Sequence, residues 1–262
     1  MSTMSNENRT KLNRLITGWP RGTVSVASHL NRQGISNALL NKYRNSRWIR
    51  PVGRGAYCLD RDSVGWTGAI WAIQTQLGLG VHPGGKTALE MKGYGHYLSE
   101  KPGRIFLYGG PGLRLPAWFR KGDWGTDILF TGTGLFPAGC RDGFTRSDDR
   151  EFSIRISAPE RAAMEMLYHV PNRIGFEEAL MIMENLACLR PQVVERLLEQ
   201  CIFIKVRRLF MYMAEKHDHP WVSHLDLSKV NFGRGKRLVV KGGVLDRKYD
   251  ITVPSDKDEV LF

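Results

Sequence analysis

The stretch VSVASHLNRQGISNALLNKYRNSRWIRPVGRGAYCLD, Val24–Asp60, constrains the fold more than any other part of the chain. Val26, Ala27 and Leu30 fall on one helical face, and Gly34 breaks the pattern. Ser36 then caps a second helix whose apolar side is Leu39, Leu40 and Tyr43. Two short helices joined by a tight glycine turn form the helix-turn-helix arrangement. The β-type runs Trp48–Val52 and Ala56–Leu59 follow, with Gly53-Arg54-Gly55 as the turn between them. A hairpin placed directly after the second helix is a wing. Upstream, Lys11–Ile16 ends an earlier short helix, stopped by Gly18 and Pro20.

Charge gives this arrangement a chemistry. The whole chain carries a formal net charge of +12, and residues 1–60 hold ten basic side chains against Glu7 and Asp60 alone. A net +8 in so short a segment is the footprint of a polyanion binder. The second helix presents Asn37, Asn41, Lys42, Arg44 and Asn45, with Arg47 just beyond it. Arg50 lies on the first strand of the wing and Arg54 at its tip. These are side chains that can hydrogen-bond base edges or phosphates in the major groove of double-stranded DNA, and DNA contact is expected of them. A winged helix also serves as a docking module for proteins, and sequence alone leaves that use open.

From Val64 the pattern changes. Trp66, Ile70, Ile73 and Leu77 recur at helical spacing, and Gly78 and Gly80 end that helix. TALEMKGYGHYL reads as another helix, interrupted by Gly93 and Gly95. Strands are expected at Arg104–Tyr108, Asp127–Thr131 and Phe152–Ile156. Ser157 and Glu160 read as a capping box, with Pro159 in the first turn of the helix they open. More helices follow at Gly175–Leu189, Pro191–Gln200 and Phe203–Lys216, the last with Phe203, Val206, Phe210 and Met213 inward and Lys205, Arg207 and Arg208 outward. Arg237–Lys241 and Lys248–Val253 close the chain as strands. Helices and strands are grouped rather than alternating, so the class is α+β: a winged helix-turn-helix domain over 1–60, then a larger mixed α+β domain over 64–262. Residues 201–250 carry a further net +6, which we read as a solvated face, with a wider DNA surface or an RNA contact as the alternatives. The chain lacks an apolar run of roughly 18 residues, its first residues are polar, and its four cysteines are widely spaced. A cytoplasmic protein with reduced, unligated thiols and no membrane association is expected.

One motif points elsewhere. GVHPGGKT, Gly80–Thr87, satisfies the phosphate-loop pattern G-x-x-x-x-G-K-[ST] letter by letter. Such a loop works because a buried strand delivers the chain to backbone N–H groups that surround the phosphates. Here a helical pattern precedes Gly80, Pro83 removes a donor from the loop, and the downstream strand ending in a magnesium-binding aspartate is missing. Gly84-Gly85 is therefore read as a turn, with Lys86-Thr87 opening a helix. Glu90-Met91-Lys92 resembles the E-x-K of metal-dependent nucleases, with Asp123, Asp127 and Asp142 as candidate partners. His82, His96 and His169 are scattered, and His217-Asp218-His219-Pro220 reads as a turn. No catalytic residue, metal or cofactor is assigned.

Taken in order, GISNALLNKYRNSRWIRPVGRGAY, VGWTGAIWAIQTQLGLGVHPGGKTALEMKGYGHYL, LPAWFRKGDW and SAPERAAMEMLY resemble the AbiEi antitoxins of type IV toxin–antitoxin systems. The resemblance runs from about Leu12 to Pro254. It implies a winged helix that binds the promoter of its own operon at inverted repeats and represses it. It also implies an antidote domain acting against a nucleotidyltransferase toxin, with no stable complex required. DNA contact is carried onto Asn37, Asn41, Lys42, Arg44, Arg50 and Arg54, and Gly84-Gly85-Lys86-Thr87 becomes a structural turn. A metal-dependent nucleic-acid-processing enzyme and a stand-alone transcriptional regulator are the alternative readings.

Overall fold

In the computed structural model the described residues are 6–95 and 103–255. The chain opens with α1 (Asn6–Thr17), β1 (Ser25–Val26), α2 (Ala27–Arg32) and α3 (Asn37–Asn45). The hairpin β2 (Ile49–Gly53) and β3 (Ala56–Leu59) follows, then α4 (Trp66–Thr75). Next come β4 (His82–Pro83), α5 (Gly85–Met91), β5 (Ile105–Gly109), α6 (Ala117–Arg120) and β6 (Ile128–Gly132). The remainder is β7 (Phe144–Asp149), β8 (Phe152–Ser157), α7 (Pro159–Tyr168), α8 (Phe176–Glu184), α9 (Pro191–Gln200) and α10 (Ile204–Lys216). A short 3-10 helix at Pro220–His224 leads to β9 (Arg237–Leu238), β10 (Val244–Asp246) and β11 (Ile251–Val253). The class is α+β, with the winged helix-turn-helix first. The expected helix over TALEMKGYGHYL ends at Met91, and its last residues, with His96, lie outside the described residues.

The described residues group into two compact units. The first takes those of Met1–His82, Gly112–Asp127 and Arg146–Arg155. Its antiparallel sheet has the order β1-β3-β2, with Ile49 opposite Leu59 and Arg50 opposite Cys58. The register shifts between Pro51 and Gly53, just before the wing turn. Val26, expected on a helix face, is instead in β1 and pairs with Ala56, so the first helix starts one residue later. The core includes Leu12 and Leu15 of α1, Trp19 just past it, Leu30 of α2, Leu40 and Tyr43 of α3, Ile49 of β2 and Leu59 of β3. Burying such side chains contributes about 1.5–3 kcal/mol each and holds α3 by its inner face.

Three later pieces of chain support this unit. Gln76, just past α4, accepts from Val26 N–H at 2.8 Å and donates to the Val24 carbonyl at 3.2 Å, fixing β1. A Cβ on Gly68 would lie 1.9 Å from the Gly22 carbonyl oxygen, so α4 approaches that backbone as only glycine allows. A Cβ on Gly53 would lie 2.8 Å from the Trp118 Cβ, so α6 backs the wing strand. Trp118, Phe119 and Trp124 pack ring to ring, with the last two stacked at 5.2 Å.

The second unit holds the larger core, built from α5, α7, α8, α9 and α10. Its sheet runs β4-β5-β6, with β5 and β6 parallel and Ile105 opposite Ile128. Helix α7 is buried on almost every side, charged residues included. The expected capping box fails here for a physical reason. Ser157 ends β8, so Ala158 is the N-cap of α7 and makes no side-chain cap bond. Ser157 donates to the Glu165 carboxylate at 2.7 Å, while Glu160 takes Arg190 in a two-pronged pair at 2.8 and 3.0 Å. Burial pushes the Glu160 carboxyl up, but the bonds from Arg190 outweigh it and leave the group below its usual range.

The expectation for α10 also needs correction. Arg207 and Arg208 are buried, while Phe203 is 38% exposed. Arg208 donates to the carbonyls of Phe232, Gly235 and Asp250, and Arg207 to that of Asn231. These guanidinium groups hold the segment leading to β9 rather than face water. Their five fixed donors make arginine suited to collecting several carbonyls at once.

Candidate nucleic-acid interface

Helix α3 is positioned by its cap and its buried side. The Ser36 side chain accepts from Leu39 N–H at 3.3 Å, while Leu40 and Tyr43 enter the core. That orientation leaves Asn37, Asn41, Arg44 and Asn45 exposed. Their spacing of four, seven and eight residues from Asn37 puts them on one helical stripe. Lys42 sits on the flank, half-buried. Asn31 donates to the Asn37 side-chain oxygen at 3.2 Å, which orients that amide. Arg47 stands just past the helix at φ +55°, exposed.

The wing places Arg54 exposed at its tip. Gly55 beside it has φ +77°, which closes the two-residue turn without strain. The Gly55 carbonyl accepts from Ala27 N–H at 2.8 Å, so the wing tip is tied to the start of α2. Arg50 differs from the others. Its guanidinium donates to the Asp62 carbonyl at 2.8 Å, so part of its donor set is spent inside the protein. Arg44, Arg47 and Arg54 have no side-chain bond to another described residue. The interface therefore brings together a stripe of amides and a set of uncommitted cations on α3 and the wing.

Sequence reasoning placed Trp48 only as a strand start. It is 46% exposed and borders a surface cavity of about 770 Å³ with Arg47 and Arg61. An exposed indole in a cavity whose lining also includes Arg47, Arg61 and Asp60 is suited to sugar or base contact. A tryptophan opening a strand directly after the second helix was the available signal.

The phosphate-loop motif is occupied from within. Gly84 N–H donates to the Phe106 carbonyl at 3.1 Å, and Gly85 N–H to the Glu165 carboxylate at 3.2 Å. Thr87 accepts from Phe106 N–H at 2.8 Å, and Lys86 pairs with Glu178 at 2.7 Å. A Cβ on Gly84 would lie 2.1 Å from Glu165 Oε2, and one on Gly85 2.5 Å from the Tyr108 hydroxyl. The two glycines thus serve close packing, and an internal carboxylate stands where the pattern would place a phosphate.

The other candidate chemistries find their side chains engaged. Glu90 lies 3.7 Å from Lys86, and burial outweighs that cation in raising its carboxyl. Asp142 accepts from Arg196 and Gln200, whose bonds hold it below the usual carboxylate range. His217 and His219 donate to the carbonyls of Leu180 and Met183. His169 is buried, and burial with nearby Arg173 and Lys205 pushes it down to about 4. Among the described residues, no group of three or more His, Cys, Asp or Glu side chains is placed to hold a metal ion. Among the same residues, no helix is long and apolar enough to cross a membrane.

Two family models match this chain. One, described as the transcriptional regulator AbiEi antitoxin N-terminal domain, covers residues 8–100. The other, described as transcriptional regulator, AbiEi antitoxin, type IV TA system, covers residues 102–254. No curated protein sequence matches. A similar solved structure is that of the RV2827C protein from Mycobacterium tuberculosis, at 14% identity and a TM-score of 0.57. The alignment covers 96% of this chain and 92% of that one, a likeness of fold.

Proposed function

Because the chain belongs to the AbiEi family of antitoxins and transcriptional regulators of type IV toxin–antitoxin systems, we propose that it represses its own operon by binding double-stranded DNA through the winged helix and counteracts a nucleotidyltransferase toxin. The DNA-binding domain is assigned to 1–60 and the antidote domain to 64–262. In this reading Asn37, Asn41 and Arg44 enter the major groove, with Lys42 and Asn45 beside them. Arg47, Arg50 and Arg54 contact flanking phosphates at inverted repeats in the promoter. The protein acts in the cytoplasm by binding rather than by catalysis, and the antidote role needs no stable complex with the toxin.

The observation that carries the reading is the exposed stripe of α3, flanked by the uncommitted cations Arg44, Arg47 and Arg54. A salt-dependent gel shift on the region upstream of its own gene tests it. Wild type binds, and Arg44→Ala with Arg54→Ala weakens binding by about a hundredfold, from about 1–3 kcal/mol per lost contact. The slope of log affinity against log salt becomes shallower by about one, from the phosphate contact of Arg54. Unchanged affinity in the double variant removes the assignment. Coexpression with the neighbouring toxin separates the two roles, because the same variant still restores growth.

A further inference from the structure

The cavity of about 770 Å³ beside Trp48 lies in the first unit and is bordered by two turns. One turn ends α3. Arg47 N–H donates to the Arg44 carbonyl at 3.1 Å and Trp48 N–H to that of Tyr43 at 2.9 Å, a paired closure of the helix C-terminus. Such a closure needs a left-handed residue, usually glycine, and here Arg47 takes that place at φ +55°. The residue after it commonly packs back on its helix, yet Trp48 is 46% exposed. The other turn follows β3, where Asp62 N–H donates to the Leu59 carbonyl at 3.1 Å with Asp60 and Arg61 at the corners. Asp60 N–H donates to the Trp48 carbonyl at 3.1 Å and ties the two turns together. Arg47, Trp48, Asp60 and Arg61 therefore line the cavity from backbone that is already fixed.

The side chains of the lining decide what kind of molecule it takes. Arg47 and Arg61 are exposed, and neither side chain makes a hydrogen bond or ion pair with another described residue. Arg21 also borders the cavity, but Asp62 engages its Nη1 at 3.1 Å and offsets its charge. The Asp60 carboxylate has no hydrogen bond or ion pair to another described residue. Two uncommitted guanidinium groups against one carboxylate leave an excess of positive charge, and their planar forks match phosphate oxygens. An exposed indole accepts the face of a nucleobase by stacking. An uncommitted carboxylate accepts from an amino group on the edge of such a base. The volume lies within the range of about 300–1,000 Å³ typical of small-molecule sites.

We propose that this cavity binds a nucleoside monophosphate, its base stacked on Trp48 with the amino edge towards Asp60 and its phosphate on Arg47 and Arg61. The two pinned turns hold these groups before the ligand arrives, so little ordering is left to oppose binding. Arg47 also belongs to the proposed DNA interface, but the site forms without DNA, and its occupancy does not rest on the DNA-binding reading.

AMP, adenosine and purine riboside 5′-monophosphate, which lacks the amino group, are the probes, used with the full chain and without DNA. Isothermal titration calorimetry on wild type should show AMP binding, with adenosine about fivefold weaker or more and the amino-free nucleotide about threefold weaker. The Trp48 indole N–H resonance should shift in the ¹⁵N correlation spectrum, and those of Trp118 and Trp124 should not. Trp48→Ala should lose about tenfold or more in AMP affinity at unchanged melting temperature, and Trp48→Phe should recover most of it. Arg61→Gln should lose about the same factor as adenosine, and Arg61→Lys should regain part of it. The proposal is overturned by any of three results: no heat at about 1 mM AMP, AMP bound no better than either other probe, or wild-type AMP affinity in Trp48→Ala. With no DNA in the titration, its failure is distinguishable from a failure of the gel shift.

Discussion

At Glu165 a single carboxylate collects three donors: Gly85 N–H, the Ser157 hydroxyl and Arg161 Nε at 2.9 Å. Arg161 in turn lies over the rings of Phe136 and Phe144 at 4.3 and 4.2 Å and donates to the Asp142 carbonyl. Removing the acid leaves a buried guanidinium without its counter-charge and a helix start without its acceptor. Glu165→Ala should therefore lower unfolding free energy by about 3–5 kcal/mol, read from the midpoint of urea denaturation. Glu165→Gln keeps an acceptor and should cost less. A wild-type midpoint in Glu165→Ala would show that the pair contributes nothing. The helix start beside Lys86-Thr87 was legible in the sequence, but the turn between two helices was not: the extended pair His82–Pro83 leads into Gly84, and the helix already includes Gly85. Nor was the carboxylate that Gly85 meets, since Glu165 lies 80 residues further on and only tertiary packing brings it there. Ser157 and Glu160 misled for the same reason: a capping box is a local pattern, and both side chains found stronger long-range partners.

Among the elements, α3 shows how much a local signal can carry. Ser36 read as a cap and is one, and Leu40 and Tyr43 read as the inner face and are buried. Ser36→Ala should cost about 1 kcal/mol, and Ser36→Asp should restore most of it, measured as shifts of the thermal midpoint. Equal stability of all three proteins would mean that the cap bond is not used. Helix α9 has the bounds the sequence suggested, because proline opens it and its apolar residues keep one face. Helix α10 departs from its pattern because it is covered on a second side. The covering is polar backbone, the carbonyls of Asn231, Phe232, Gly235 and Asp250, which no hydrophobic periodicity reports. Two arginines at adjacent helical positions look solvated until those carbonyls are in place.

For the whole molecule, chain order and compact unit do not coincide. The crossover between the parallel strands β5 and β6 and the strand-turn-strand over 146–155 both belong to the unit that carries the winged helix. A fragment ending at residue 60 lacks Gln76, the α4 backbone at Gly68, and Trp118 behind Gly53. It should melt at least about 10 °C below the full chain, or without a cooperative transition, in circular dichroism. A fragment as stable as the intact protein would show these later segments to be dispensable. The bond from Ala27 N–H to the Gly55 carbonyl has a kinetic consequence. A free-standing wing must surrender its conformational entropy when it meets a groove. Here that loss is taken at folding, so on the proposed DNA-binding reading Arg54 would reach the duplex on a wing already tied to the start of α2. On that reading association should be set by electrostatic steering and orientation rather than by ordering of a loop, and stopped-flow rates should be fast and salt-sensitive.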